Sequence, residues 1–142
     1  MLHELPKAQI VARVDYLITE FHLEPFIDKL ARKLSKGMKQ KVAIARAIVH
    51  DPSIILFDEP EAGLDFCAAK RTFDFLLKCR NEGKTVIFCS HSLKSIREFS
   101  NRLIVLNHGV LVNTLEMDEL RAARSNKEMN KLLFDLVKKR AG

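Results

Sequence analysis

The sequence contains no apolar run of about 18 residues, so no part of it predicts a membrane-spanning helix. Its beginning, MLHELPKAQIVARVDY, interrupts the apolar positions with acids and bases and does not match a secretory signal peptide. These two absences predict a cytoplasmic protein. With 142 residues, of which 47% are hydrophobic and 30% charged, the chain has the size and composition of one compact domain.

Cysteine is scarce, and metal-ligand spacings are absent. The three cysteines, Cys67, Cys79 and Cys89, are odd in number and form no C-x-x-C pair, which argues against a disulfide framework or a zinc site. The five histidines show no metal-ligand spacing either. We therefore interpret the cysteines and most of the histidines as core or surface residues.

Concentrated basic charge is limited to short stretches. The net charge is +6, and much of the surplus lies around RKLSKGMKQK and in the stretch LLFDLVKKRAG near the end of the chain. Cations at a helix end suit the helix dipole, and the remaining charge is too diffuse to demand a nucleic-acid partner. We expect no nucleic acid to bind.

The glycines do not form a phosphate-binding loop. That loop needs the spacing G-x-x-x-x-G-K-[ST], whose backbone N–H groups and lysine hold the β- and γ-phosphates of a nucleotide. None of the five glycines begins this spacing; they are Gly37, Gly63, Gly83, Gly109 and Gly142.

What the sequence does contain is an alternation of helical and strand patterns. Ser35 and Asp65 are expected N-caps, Gly83 a helix terminator, and Gly109 a turn residue with positive φ. The first strand is a continuous apolar run, which is typical of burial on both faces. The pattern predicts an α/β fold of parallel strands flanked by helices, with a C-terminal β-hairpin and a helical tail. Helices are predicted over 7–21, 36–49, 66–81 and 92–100, with a short one after Pro25 and one or two over 116–139. Strands are predicted over Ile54–Phe57 and Thr85–Cys89, and the hairpin in RLIVL and VLVNTL.

Two acids follow the first predicted strand. In IILFDE, four apolar residues lead into Asp58 and Glu59, and ligands of parallel sheets gather at the carboxyl ends of the strands. Asp58 suits Mg²⁺, which prefers oxygen ligands and keeps its waters, and Glu59 suits a general base that activates water. An acidic loop after a core strand is the alternative interpretation.

Two further stretches fit the same chemistry. VIFCSH ends a strand with His91, which we expect at the same sheet edge, in reach of a γ-phosphate and the attacking water. LSKGM places Ser35, Lys36 and Gly37 at the start of a long helix, where N–H groups and the positive dipole end favour an anion. Taken alone, His91 also fits an ordinary satisfied histidine, and LSKGM an ordinary capped helix.

The order and spacing of these parts resemble the ATP-binding cassette (ABC) ATPase family over about residues 30–115. In LSKGMKQK…IARAIVHDPSIILFDEPEAGLD…GKTVIFCSH, the signature motif is Leu34–Met38 and the Walker B strand is Ile54–Asp58. Glu59 is the catalytic-type glutamate, Ala62–Asp65 the D-loop and His91 the switch histidine. The motif sequences SKGMKQK and DEPEAGLD are similar to those of bacterial exporter subunits, including the sodium- and drug-extrusion branch. Lys36 and Met38 replace the commoner Gly and Gln, as is familiar in that branch.

The resemblance implies a partial P-loop NTPase-like ABC ATPase fold with ATP and Mg²⁺ as cofactors. Residues 1–50 would end the helical subdomain with its signature helix, 51–115 would form half of the catalytic core, and 116–142 a helical tail. The family implies catalytic roles for Glu59 and His91 and a metal role for Asp58. It implies nucleotide binding by the residues Ser35, Lys36, Gly37, Met38, Asp58 and Asp65.

The expected partners are a second ABC ATPase subunit, bound head to tail, and a membrane permease, which would hold the cytoplasmic subunit on the inner face of the cell membrane. In that arrangement the signature motif covers the ATP held by the partner. The chain resembles the C-terminal portion of such a subunit, and we expect it to be inactive without a phosphate loop. The alternative is a non-catalytic module that docks on a full ATPase or permease. A third class, the ABC-type ATPases of DNA repair or translation, carries long coiled coils or tandem cassettes, and neither appears here.

Overall fold

A computed structural model describes residues 6–118 and 126–139 of the chain. The chain divides into two compact units, Met1–Cys89 and Ser90–Gly142. Within the described residues, no helix is long and apolar enough to cross a membrane. The helices are Lys7–Phe21 (α1), Lys36–Ile48 (α2), Phe66–Asn81 (α3), Leu93–Phe99 (α4) and Asn126–Lys139 (α5), with 3-10 turns at Glu24–Phe26 and Ala31–Lys33, and the strands are Ile54–Asp58 (β1), Thr85–Cys89 (β2), Arg102–Asn107 (β3) and Val110–Glu116 (β4).

The first unit is built on a pair of parallel strands. β1 and β2 pair in register from Ile54 opposite Thr85 to Asp58 opposite Cys89. The α/β fold with parallel strands and flanking helices is therefore confirmed. The predicted helix boundaries also hold in this unit, because α1 and α3 span the predicted ranges and α2 ends one residue early.

Aromatic side chains join the helices to this strand pair. The rings of Phe73 on α3 and Phe88 on β2 meet edge to face with their centroids 5.2 Å apart. Phe75 on the same helix meets Phe21 of α1 at 5.2 Å. Such pairs add to the free energy gained by burying apolar area. They hold α3 against both α1 and β2.

The prediction that β1 is buried on both faces is wrong. Ile55 is only 3% exposed, whereas Ile54 is 64% and Leu56 is 70% exposed. Ile87, which lies opposite Leu56 on β2, is 45% exposed. Alternate residues of a strand point to opposite faces, so one face of the pair is covered and the other is open to solvent. A continuous apolar run does not by itself reveal what covers each face.

An ion-paired cluster fixes the turn between α2 and β1. Asp51 has positive φ, and its carboxylate accepts hydrogen bonds from Arg13 of α1 and from Lys84 just before β2, both at 2.9 Å. Lys84 also donates to the carbonyl of Pro52 at 3.3 Å. The Lys84 hydrogen bond is the main reason that the pKa of Asp51 lies below its ordinary value. The cluster joins three segments that are distant in sequence.

Among its described residues, the second unit contains an antiparallel hairpin and the helices α4 and α5. β3 and β4 pair from Arg102 opposite Glu116 to Asn107 opposite Val110, with an irregularity after Val105. The connecting residues have φ values of 47° at His108 and 76° at Gly109. This left-handed pair is typical of two-residue hairpin turns, and it confirms the predicted role of Gly109.

The helical parts of this unit follow the predicted order. Ser92 caps α4 by accepting a hydrogen bond from the Ser95 N–H at 3.2 Å. Met117, after β4, and Met129, on α5, are fully buried. α5 lies within the predicted helical tail, of which residues 119–125 are outside the described part of the chain.

Candidate functional site

The signature segment, Leu34–Met38, forms the capped beginning of α2. Ser35 has extended backbone, and its Oγ accepts a hydrogen bond from the Met38 N–H at 3.2 Å. The first four N–H groups of a helix lack partners within the helix, and Ser35 satisfies one of them. No acid occurs in the first turn of α2, and Lys36 adds a cation there. The positive dipole end thus carries additional positive charge, which suits an anion.

Asp58 and Glu59 lie where the parallel pair ends. Asp58 is exposed and stands opposite Cys89, so β1 and β2 stop at the same level. Glu59 is half-buried, and its N–H donates to the Cys89 carbonyl at 2.9 Å. Its φ of 45° is left-handed, which is uncommon for a residue with a side chain. The carboxyl end of β1 therefore carries two carboxylates: that of Asp58, which is exposed to solvent, and that of Glu59, whose backbone is left-handed.

The post-strand loop, Glu59–Asp65, folds back on itself before α3 begins. The Ala62 N–H donates to the Glu59 carbonyl at 2.9 Å, and the Leu64 N–H donates to Glu61 at 3.1 Å. Asp65 then caps α3, since its Oδ1 accepts from the Ala68 N–H at 2.9 Å. One oxygen of this predicted nucleotide-binding residue is thus already engaged in the fold.

The signature segment lies directly against the post-strand loop. A Cβ placed on Gly37 would lie 2.7 Å from the carbonyl oxygen of Gly63, closer than side chains approach. The side-chain carbons of Lys36 come within 3.1 Å of where a Cβ on Gly63 would lie. The two glycines therefore allow a close contact between segments 26 positions apart in the sequence.

Gln40, one turn into α2, makes a second contact with the same loop. Its Nε2 donates to the carbonyls of Glu59 at 3.4 Å and Pro60 at 3.3 Å. Sequence reasoning placed Gly63 in the D-loop without predicting this contact, and it did not single out Gln40. The available signal was the spacing on α2: Gln40 lies three residues after Gly37, and helix positions three apart share a face.

His91 belongs to the second unit. It is exposed and follows β2 by two residues, between Ser90 and the cap residue Ser92. The Ser90 Oγ accepts a hydrogen bond from the Ser92 N–H at 3.0 Å, which shapes this connection. The role of His91 beside a γ-phosphate stays a prediction.

A magnesium ion bound mainly through water needs few protein ligands. In the described part of the chain, no three residues among His, Cys, Asp and Glu form a group that could hold a metal ion by themselves. Mg²⁺ in nucleotide sites is commonly held by one or two carboxylates together with phosphate oxygens and water. The single exposed carboxylate of Asp58 fits that kind of donor set.

Sequence comparison relates this chain to ABC transporter proteins. Residues 3–62 match the family described as ABC transporter. The chain is 33% identical over 129 residues to the ABC transporter ATP-binding protein NatA of Bacillus subtilis (strain 168), covering 91% of this chain and 52% of NatA. It is 38% identical over 111 residues to the sn-glycerol-3-phosphate import ATP-binding protein UgpC of Paracoccus denitrificans (strain Pd 1222), covering 75% of this chain and 31% of UgpC.

Solved structures agree with these relatives. The structure of an ATP binding subunit of an ABC transporter matches with a TM-score of 0.81 and 26% identity, over 92% of this chain and 57% of that one. A dimeric ATP-binding cassette in a post-hydrolysis state, bound to ADP and Pi, matches with a TM-score of 0.72 and 30% identity, over 80% of this chain and 49% of that one. The chain thus spans about half the length of NatA and of these two structures.

Proposed function

Because this chain is related to the ABC transporter ATP-binding proteins and carries part of their P-loop NTPase fold, we propose that it works in the ATP-hydrolysing subunit of an exporter. Proteins of this family bind ATP, and hydrolysis is their common activity. The motifs SKGMKQK and DEPEAGLD favour export, because they are similar to the corresponding motifs of bacterial exporter subunits. UgpC is named as an import protein, so the direction needs its own test.

One observation carries the proposal: the capped, cationic start of α2 packs against the loop that follows Asp58. In a head-to-tail dimer, the segment Ser35–Met38 would bind the γ-phosphate of an ATP held by the partner. Ser35 and Gly37 would offer a hydroxyl and backbone N–H groups, and Lys36 would add charge. Asp65, which ends the loop that packs against this segment, would line the same interface.

The acids at the strand edge would serve the ATP of their own subunit. Asp58 would hold Mg²⁺, which supplies charge neutralisation at the phosphates. Glu59 would accept a proton from the attacking water, and His91 would hydrogen-bond the γ-phosphate and that water. The left-handed backbone of Glu59 supports this assignment, because strained conformations concentrate at functional sites.

The proposed partners are a second cassette and a membrane permease. A dimeric relative bound to ADP and Pi supports the first of these. A permease would hold the subunit at the cytoplasmic face of the membrane and would determine which substrate is transported. Nucleic acid is not among the proposed partners.

A second candidate function is a non-catalytic module that docks on a full ATPase or permease. The observation that favours it is the lack of G-x-x-x-x-G-K-[ST] within these 142 residues. For the same reason, we propose that the chain by itself binds MgATP weakly and hydrolyses none. The loss of several charge-assisted hydrogen bonds, each worth about 1.5–3 kcal/mol, would move a micromolar site into the millimolar range.

A chimera separates the two functions. The chain is fused to a segment carrying a phosphate loop from a related cassette, and MgATP hydrolysis and binding are measured. We expect hydrolysis by the fusion, none by the chain alone, and retained binding with about 10²–10⁴-fold slower hydrolysis after Glu59→Gln. A fusion that binds MgATP but hydrolyses it equally well with Glu59→Gln would reject the catalytic role. A fusion that binds no MgATP would favour the docking module.

A further inference from the structure

Glu59 adopts a backbone conformation that needs support. For a residue with a side chain, the left-handed region costs roughly 1–2 kcal/mol relative to the right-handed one. Such a conformation persists only where contacts with the surrounding structure stabilise it enough to offset this cost. At Glu59 the conformation matters, because it sets the direction in which the carboxylate leaves the strand edge.

Two contacts that hold Glu59 come from the sheet and from its own loop. Its N–H donates to the Cys89 carbonyl of β2, and its carbonyl accepts from the Ala62 N–H, both at 2.9 Å. These bonds tie the residue to the end of β2 and to the following turn. Neither bond connects Glu59 to a helix.

The third contact comes from α2. The Nε2 of Gln40 lies 3.4 Å from the Glu59 carbonyl and 3.3 Å from that of Pro60, the next residue, which is fully buried. Both neighbours are carbonyl oxygens, which only accept, so the donating end of the amide must face them. Gln40 therefore bridges the carbonyls of the two consecutive peptide groups that follow the strained residue.

The position of Gln40 is itself fixed by the fold. Three residues earlier on the same helix face, Gly37 meets the Gly63 carbonyl so closely that a Cβ would lie 2.7 Å from it. The beginning of α2 thus touches the post-strand loop at Gly63 and again at Glu59 and Pro60. These two contacts fix the position of the post-strand loop relative to this face of α2.

We propose that Gln40 is a positioning residue for Glu59. Its side-chain amide, delivered by α2, stabilises the left-handed backbone from which the Glu59 carboxylate projects. The importance of that carboxylate rests on the proposed function, whereas the stabilisation of the Glu59 backbone by Gln40 does not. Gln40 contacts neither nucleotide nor water in this role, and it acts only through Glu59.

Amide hydrogen exchange on the 142-residue chain tests the proposal without any requirement for ATP hydrolysis. Gln40→Met removes the donor and keeps a side chain of similar length. We expect the amides of Glu59 and Ala62 to exchange about 3- to 10-fold faster, as loss of a hydrogen bond of ordinary strength predicts. The Glu59 Cα chemical shift should also move away from its left-handed value. The amide of Ile55, in the middle of β1, serves as the internal reference.

Two variants separate the donor from packing. Gln40→Lys restores a donor of similar reach and should return the Glu59 shift and the exchange rates toward wild type. Lys39→Ala alters an exposed neighbour on the same helix and should leave them unchanged. Unchanged exchange in Gln40→Met, or equal acceleration at Ile55 and in the loop, would overturn the proposal. Because no ATP is present, a failed hydrolysis assay on the chimera leaves this result standing.

Discussion

At the scale of single residues, the structure gives Gly37 a role inside its own chain. The sequence places this glycine at a helix start that favours an anion, among the residues expected to bind a nucleotide. The space where its side chain would lie is close to the Gly63 carbonyl, which belongs to the post-strand loop. A backbone oxygen cannot move aside as the end of a flexible side chain can. The absence of a side chain at position 37 is therefore needed for packing, whether or not a phosphate binds.

Gly37→Ala should destabilise the chain. Alanine improves helix propensity over glycine by about 1 kcal/mol, but a methyl group forced against packed backbone costs typically about 1–3 kcal/mol. Because the Cβ would lie only 2.7 Å from the Gly63 oxygen, we expect the clash to dominate and the free energy of unfolding to fall by about 1 kcal/mol. Urea denaturation of the 142-residue chain measures this change.

Lys39→Ala is the matched control, since it changes an exposed residue of the same helix and should alter stability by less than about 0.5 kcal/mol. A Gly37→Ala chain as stable as wild type would show that the loop moves away at little cost.

At the scale of elements, local signals predict much of the fold. Ser35 and Asp65 cap α2 and α3, and Gly109 turns the hairpin, because each acts on backbone groups within three residues of itself. The left-handed conformation of Glu59 was not predictable, since it depends on Cys89 and Gln40, which are distant in sequence. Asp58 and Glu59 could be chosen from the sequence as candidates, and their roles stay predictions, whereas the contacts that shape the backbone of Glu59 could not be foreseen.

The Asp51 cluster, which sequence reasoning also missed, should make stability depend on pH. The folded-state pKa of Asp51 lies below 3.8, mainly because Lys84 donates a hydrogen bond to it and also because Arg13 is close. A carboxyl with a lowered pKa contributes stability above its unfolded pKa and loses it as the pH falls through its folded pKa. Its side chain is 56% exposed, so solvent screens the ion pairs and the contribution is small.

Asp51→Asn isolates this contribution. Asparagine also tolerates the left-handed backbone found at this position, so the change removes mainly the charge. We expect the free energy of unfolding to fall by about 0.5–1 kcal/mol at pH 7 and the difference from wild type to shrink as the pH falls below 3.8. Urea titrations of both proteins across that range measure the difference. A deficit that stays constant with pH would assign the effect to packing.

The open face of the β1–β2 pair should promote self-association. Leu56 and Ile54 are 70% and 64% exposed on one face, and uncovered apolar strands are association sites. Leu56→Thr keeps a strand-forming residue and should lower the sedimentation coefficient measured at high concentration, with stability changed by less than about 0.5 kcal/mol. Ile55→Thr, on the covered face, should instead cost about 2 kcal/mol. Association that is unaffected by Leu56→Thr would point to another surface.

At the scale of the whole molecule, the proposed dimer assigns the two parts of the first unit to different nucleotides. The signature segment would serve the ATP of the partner, and Glu59 would serve the ATP of its own subunit. The contact between Gly37 and Gly63 holds these parts together within one chain. Each subunit would therefore contribute to two sites at once, and a lesion in one part should damage only one of them.

Mixed dimers of the chimeric cassettes test that assignment. Ser35→Arg would fill the space where a γ-phosphate meets the start of α2, and Glu59→Gln would remove the proton acceptor. A dimer with Ser35→Arg in one subunit and Glu59→Gln in the other places both lesions on one shared site and leaves the second intact. A dimer with both lesions in one subunit damages both sites. We expect the first dimer to keep up to half of the wild-type hydrolysis rate and the second to lose nearly all of it, because a positioned base is worth about 10²–10⁴-fold. Equal rates in the two dimers would contradict either the head-to-tail arrangement or the independence of its two sites.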